Sequence, residues 1–78
     1  MSDSPLSKKF GAVVRKRRLD AGLSQEALAE LAQIHPTYMS MVERGSRNLT
    51  LGVAARLAGA LNVSLPELIE EAEEHWNQ

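Results

Sequence analysis

Apolar residues recur along most of the chain at intervals of three and four, the spacing of one helix face. In the first run, Phe10, Val13 and Val14 keep this spacing with cations opposite them. The runs cover about residues 6–21, 25–32, 36–44, 51–61 and 65–75. We find no segment with the alternation of a half-buried strand. The pattern predicts five helices and no strand.

Residues that start and end helices stand between these runs. Gly22 suits the left-handed conformation that ends a helix, and Ser24 is a typical N-cap residue. Pro36 favours a helix start, because its missing N–H costs nothing in the first turn. Ser64 and Glu67 have the spacing of a capping box.

Length and composition limit the possibilities to one small domain. Of the 78 residues, 44% are hydrophobic but only 4% are aromatic, which favours a core of aliphatic side chains between helices. We expect this domain at residues 6–76, after a flexible segment at residues 1–5. The absence of Cys excludes disulfides and thiolate metal sites. No apolar run has the ~20 residues of a membrane span, so we expect a cytoplasmic protein.

Charge is distributed unevenly along the chain. The net charge is −1, but residues 1–50 hold eight Lys and Arg against five Asp and Glu, a net charge of +3. Residues 51–78 hold one Arg against five Glu, a net charge of −4. The basic part can therefore present one positive face to a polyanion.

The segment at residues 25–44 predicts two short helices joined by a tight turn. Leu28 and Val42 mark inner faces, whereas Thr37 and Ser40 give the second helix a polar outer face. A helix-turn-helix can place its second helix in the DNA major groove. We therefore expect double-stranded DNA as the partner.

Individual side chains in and around this pair suit contacts with DNA. Gln25 begins the first helix of the pair, where an amide and free backbone N–H groups can bind phosphate. Arg15 is the residue of the basic first helix that we expect nearest to phosphate. Tyr38 has two interpretations, a DNA contact or a core residue with its hydroxyl at the surface. The remaining candidates are Thr37, Ser40 and Met41 for base edges, and Arg44, Arg47 and Asn48 for the backbone, although the last two also suit an ordinary loop.

Several motifs recur in order with the separations of a known family. They include GLSQ at residues 22–25, ERG at residues 43–45 and LAGAL at residues 57–61. From about Phe10 to Ile69, the chain resembles the Cro/C1-type (XRE) helix-turn-helix regulators. The RNLT that follows ERG is most similar to the controller proteins of restriction–modification operons.

The resemblance implies an all-α, five-helix lambda-repressor-like DNA-binding domain. It also implies a structural salt bridge between Arg18 and Glu43, and a dimer that binds two half-sites. The chain departs from the family at three positions. Gln33 stands where Gly or Asn is usual, Pro36 replaces a frequent DNA contact, and Leu49 replaces a frequent Pro.

The last two helices, residues 51–75, are expected to support the helix-turn-helix and to dimerise. Leu65, Ile69 and Trp76 form an apolar side that a second copy can cover, although they also suit simple closure of the core. The leading hypothesis is a homodimeric, autoregulatory DNA-binding regulator on a pseudo-palindromic operator. The alternatives are an antitoxin that represses its own operon and a protein-interaction adaptor without DNA. We expect no enzyme activity, cofactor, metal or small-molecule ligand.

Overall fold

A computed structural model describes residues 5–46 and 49–76 of the chain. This part of the chain forms five α-helices and no strand, which confirms the all-α prediction. The helices are α1 (Pro5–Asp20), α2 (Gln25–Ala32), α3 (Pro36–Arg44), α4 (Leu51–Ala60) and α5 (Leu65–Trp76). Their order and lengths agree with the sequence pattern to within one residue at each end.

The start of α1 corrects one expectation. Pro5, placed by the sequence in the flexible segment, is the first residue of the helix. A proline is favoured there because its φ is already helical and the first N–H groups of a helix have no intrahelical partner. The remainder of that segment, residues 1–4, lies outside the described residues.

Side chains cap the later helices. The hydroxyls of Ser24, Thr50 and Ser64 each accept a hydrogen bond from the backbone N–H of the third residue of the helix that follows, at 3.0, 3.1 and 3.2 Å. At α3, Nδ1 of His35 accepts the Thr37 N–H at 3.1 Å. The sequence placed Pro36 correctly at the helix start but did not reveal the histidine cap.

The turn between α2 and α3 contains a strained residue. Gln33 has φ 59° and ψ 48°, the left-handed region. Its N–H bonds to the Glu30 carbonyl, and the following N–H, of Ile34, bonds to the Ala29 carbonyl, so the turn closes α2. A side chain in this region costs about 1–2 kcal/mol relative to glycine. The left-handed conformation at Gln33 ends α2 and lets the chain turn into α3.

The helix α1 is the centre of the domain. It packs against α3 on one side and α5 on the other, while α2 contacts α3 and α4, and α4 contacts α5. In the described part of the chain, thirteen hydrophobic residues are buried between these helices. The largest fully buried side chains among them are Leu28, Met39, Leu57, Leu68, Val13, Val14 and Val42. The short helices α2 and α3 are thus held by the rest of the chain.

Candidate nucleic-acid interface

One face of α3 is polar and open to solvent. Thr37, Ser40, Met41 and Arg44 are separated by three, four and seven residues, and so they form one stripe along the helix. Thr37 and Arg44 are exposed, and the other two are half-buried. Met39, Val42 and Glu43 lie on the opposite, buried side. This amphipathic pattern anchors α3 while leaving the stripe available.

Tyr38 does not belong to this stripe. It is half-buried and packs against the hydrophobic core. The sequence left two interpretations open for this residue, and the packing favours a core residue with part of its surface exposed. Its hydroxyl can still reach the protein surface, since a tyrosine carries its polar group at the far end of the ring.

A hydrogen-bonded network joins α1, α2 and α3 at their contact. Arg18 binds Glu43 with two bonds, Nε to Oε2 at 2.6 Å and Nη2 to Oε1 at 3.2 Å, and Nη1 binds the Leu23 carbonyl at 2.8 Å. The Arg18 and Glu43 side chains are only 9% and 2% exposed. Such a charge pair is costly to break from one side, because the remaining charge is buried without a partner.

Gln25 is linked to the same network. It is the first residue of α2, and its Nε2 donates to Oε1 of Glu43 at 2.9 Å. Part of its surface is exposed beside the N-terminus of the helix. The residue that we predicted to contact phosphate is therefore held by a side chain of α3.

Arg15 of α1 lies near this network. It lines a surface hollow together with Leu19 and Glu43, and its side chain is exposed. Since Glu43 also bonds Gln25, the structure brings Arg15 to the same end of the helix-turn-helix as Gln25. Both can approach the phosphate backbone from this side.

Lys8 is a candidate that the sequence analysis missed. A Cβ on Gly45 would lie 2.6 Å from Cα of Lys8, so this lysine sits directly beside the end of α3. Lys8 is exposed and adds a positive charge near Arg44. The basic character of the first helix was the only signal in the sequence, because the contact depends on how α1 crosses α3. The predicted contacts Arg47 and Asn48 lie outside the described residues.

A second surface of the domain is apolar. Six hydrophobic residues of α1, α4, α5 and the segment before α4 line a shallow groove: Leu6, Phe10, Leu49, Leu51, Ala54 and Ile69. We call this surface the apolar groove. Leu51 is 79% exposed and Leu6 is 42% exposed. These leucines are the most unusual feature of the groove, since a core residue would be covered.

The predicted dimer residues fall in different places. Leu65 and Ile69 are both half-buried and pack against the core, and Ile69 also lines the apolar groove. Trp76 ends α5, and its side chain lies outside the described part of the molecule. The apolar groove therefore adds Leu6, Leu49 and Leu51 to Ile69 as candidates for an interface.

Residues 5–46 and 49–76 contain neither a cluster of metal-binding side chains nor a membrane-spanning helix. No group of three or more His, Cys, Asp or Glu is close enough together to hold a metal ion there. No helix in this part of the chain is long and apolar enough to cross a membrane.

The chain matches a family model described as helix-turn-helix over residues 14–68. This stretch contains α2, α3 and α4 completely, together with the parts of α1 and α5 that hold them. The chain therefore belongs to the XRE-type helix-turn-helix family, a family of DNA-binding transcription regulators and not of enzymes.

Within this family, the chain is similar in sequence and in structure to control proteins of restriction-modification systems. The chain is 50% identical to control protein C.SmaI of Serratia marcescens over 56 residues, which cover 72% of this chain and 67% of the relative. It is 44% identical to the restriction-modification controller protein C.AhdI from Aeromonas hydrophila, with a TM-score of 0.77 over 80% of this chain and 94% of that one.

The wild-type restriction-modification controller protein C.Esp1396I covers still more of the chain. Its structure superimposes with a TM-score of 0.88 and 34% identity, over 97% of this chain and 100% of that one. The resemblance to controller proteins seen in the RNLT segment is thus confirmed.

Proposed function

We propose that this protein is a homodimeric controller of transcription that binds a pseudo-palindromic operator and regulates its own operon. The observation that supports this proposal most directly is the solvent-facing stripe of α3, whose opposite side packs into the core. In this stripe Thr37 and Arg44 are exposed, and Ser40 and Met41 are half-buried. A helix of this kind fits the major groove, where each base pair presents a distinct set of hydrogen-bonding groups.

The chemistry of the stripe suggests a division of labour. Thr37 and Ser40 offer hydroxyls for base edges, and the Met41 thioether offers an apolar contact for a thymine methyl. Gln25, Arg15, Arg44 and Lys8 surround the stripe with groups that bind phosphate. Phosphate contacts set affinity and position, and base contacts select the sequence.

One stripe on α3 is too small to recognise an operator by itself, so the proposed function requires a second copy of the protein. One recognition helix with three base-facing side chains distinguishes only a few base pairs. Two copies related by a two-fold axis read two half-sites about 34 Å apart, which makes the operator a pseudo-palindrome. We propose the apolar groove as the surface for this pairing. A two-fold interface uses the same patch on both copies, so the grooves of the two copies would face each other.

The similarity to controller proteins supports the regulatory part of the proposal. Two of the similar structures are those of restriction-modification controller proteins. We propose the same role for this chain, in the cytoplasm, with occupancy set by its own concentration through dimerisation. At low concentration monomers would bind weakly, and as the protein accumulates dimers would fill the operator.

A gel-shift titration on the DNA upstream of its own gene tests the proposal. We expect the wild-type protein to prefer this duplex over a scrambled duplex of equal composition. Thr37→Ala should reduce that preference by about 1–3 kcal/mol, whereas Gln25→Ala should weaken binding to both duplexes alike.

Salt supplies the control for this titration. An interaction with phosphates loses affinity steeply as salt rises, and a protein-interaction adaptor has no such dependence on DNA. Equal binding to the operator and the scrambled duplex by the intact dimer would reject the proposed function. An equal loss on both duplexes from Thr37→Ala would instead remove only the assignment of that residue.

A further inference from the structure

Glu43 accepts more hydrogen bonds than a structural ion pair needs. Its Oε2 accepts from Arg18, and its Oε1 accepts from both Arg18 and Gln25. The two bonds from Arg18 already form a complete bidentate pair between a guanidinium and a carboxylate. The burial of Glu43 is therefore compensated without Gln25, and the third bond requires another explanation.

That third bond fixes the orientation of the Gln25 amide. A carboxylate can only accept hydrogen bonds, so the nitrogen of the amide, and not its oxygen, must face Glu43. An amide nitrogen carries two N–H groups. One of them is occupied by Oε1 of Glu43, and the second remains to donate to another acceptor.

The position of Gln25 defines what that acceptor is. The residue begins α2, where free backbone N–H groups and the positive end of the helix dipole favour an anion. A free glutamine loses much of its rotamer freedom when it binds, and this loss weakens the complex. A side chain that is already held loses less.

We propose that Glu43 is a positioning residue for DNA binding, which holds the Gln25 amide ready to donate its second N–H to a backbone phosphate. This inference rests on the proposed function, since it assumes a DNA phosphate at Gln25. The buried Arg18–Glu43 pair then has two roles: it joins α1 to α3, and it orders a side chain of α2 that binds DNA.

The first measurement uses the unmodified protein without DNA. Side-chain amide ¹⁵N relaxation should give Gln25 a markedly higher order parameter than Gln33, an exposed glutamine in the turn between α2 and α3. Gln25→Ala assigns the signal. Equal mobility of the two amides in the wild-type protein would overturn the proposal.

The second measurement is a cycle of variants on a duplex of about 30 base pairs at about 50 mM salt. The paired variant Arg18→Met, Glu43→Leu removes the acceptor for Gln25 while replacing the buried charges with apolar side chains, a change that folded proteins often tolerate. We expect this pair to weaken binding by roughly tenfold, the value of one hydrogen bond to a charged group. Gln25→Ala should then have little further effect in that background.

Arg44→Ala is the matched control. Arg44 is exposed on the same helix as Glu43, so a general displacement of α3 would change its contribution as well. If Glu43 acts through Gln25, the loss from Arg44→Ala is the same in both backgrounds, and only the loss from Gln25→Ala disappears.

The outcomes separate this inference from the proposed function. If the wild-type protein binds the duplex and Gln25→Ala costs the same in both backgrounds, Glu43 does not position Gln25, and the proposed function stands. If the wild-type protein shows no affinity for DNA, the proposed function fails, and the positioning role fails with it.

Discussion

The stripe on α3 and the apolar groove are both open to solvent, but they are built in opposite ways. The stripe is polar, belongs to one short helix, and is held in place by a hydrogen-bonded network at its back. The groove is lined by leucines and other apolar residues of three helices and the segment before α4. The first surface suits a charged, hydrated partner, and the second suits another apolar surface.

The two surfaces also differ in how α1 supports them. Toward α3, α1 makes a close backbone contact at Gly11 and a buried ion pair at Arg18. Toward α5, it presents side chains, with an ion pair between Arg17 and Glu71 at 2.6 Å that is about 30% exposed on both sides. The contact between α1 and α3 is therefore closer and more deeply buried than the contact between α1 and α5, and it holds α3 more rigidly.

Leu51→Glu is expected to have the largest effect of these substitutions. It should weaken self-association through the apolar groove and leave folding unchanged. Covering a leucine contributes about 1.5–3 kcal/mol, and two-fold symmetry repeats the change in both copies, so the dimer should weaken by about 4 kcal/mol. Folding should be preserved, because Leu51 begins α4 and an acidic residue is favourable there. Sedimentation over a range of concentrations measures the change.

Leu19→Glu is the control for this prediction. Leu19 is 52% exposed but lies outside the groove, in the hollow with Arg15. It should leave self-association unchanged. A dimer that resists the Leu51 change and dissociates with the Leu19 change would place the interface at the C-terminal end of α1, outside the apolar groove.

Gly11→Ala should destabilise the contact that holds α3. A Cβ at Gly11 would lie 2.1 Å from the Val42 carbonyl oxygen and 2.9 Å from that of Glu43. Backbone atoms cannot rotate away, so α1 and α3 must separate. We expect a loss of about 3 kcal/mol in the free energy of unfolding, measured by chemical denaturation.

Gly59→Ala is the matched substitution in α4. A Cβ there would have no neighbour within 4 Å, so the same change should stabilise the domain by about 0.5–1 kcal/mol through helix propensity. Equal effects at Gly11 and Gly59 would show that the close approach of α1 to α3 is not needed for stability.

Gln33→Gly should also stabilise the domain, and its net effect should be the smallest because the added entropy of glycine in the unfolded chain offsets part of the gain. Glycine adopts φ 59° without a Cβ clash, so stability should rise by about 1 kcal/mol in a thermal melt, less the entropy that glycine adds to the unfolded chain. Asn62→Gly is the control, because asparagine at φ 66° already tolerates this region and should gain less. An increase at Asn62 larger than that at Gln33 would contradict the assigned strain.

The sequence by itself determined the helices and the class of protein. Periodicity located five helices, and the ordered motifs identified the family. Three of the helix starts were marked by Ser24, Pro36 and Ser64. These features depend on local propensity and on residues a few positions apart, which is why they can be read along the chain.

Only the tertiary structure decided which side chains meet. The bond between Gln25 and Glu43, the approach of Lys8 to Gly45, and the exposure of Leu51 all join or separate residues distant in sequence. The role of His35 as the N-cap of α3 was also visible only in the structure, since histidine is an uncommon residue at that position. Crossing angles between helices set these contacts, and helical periodicity does not encode them.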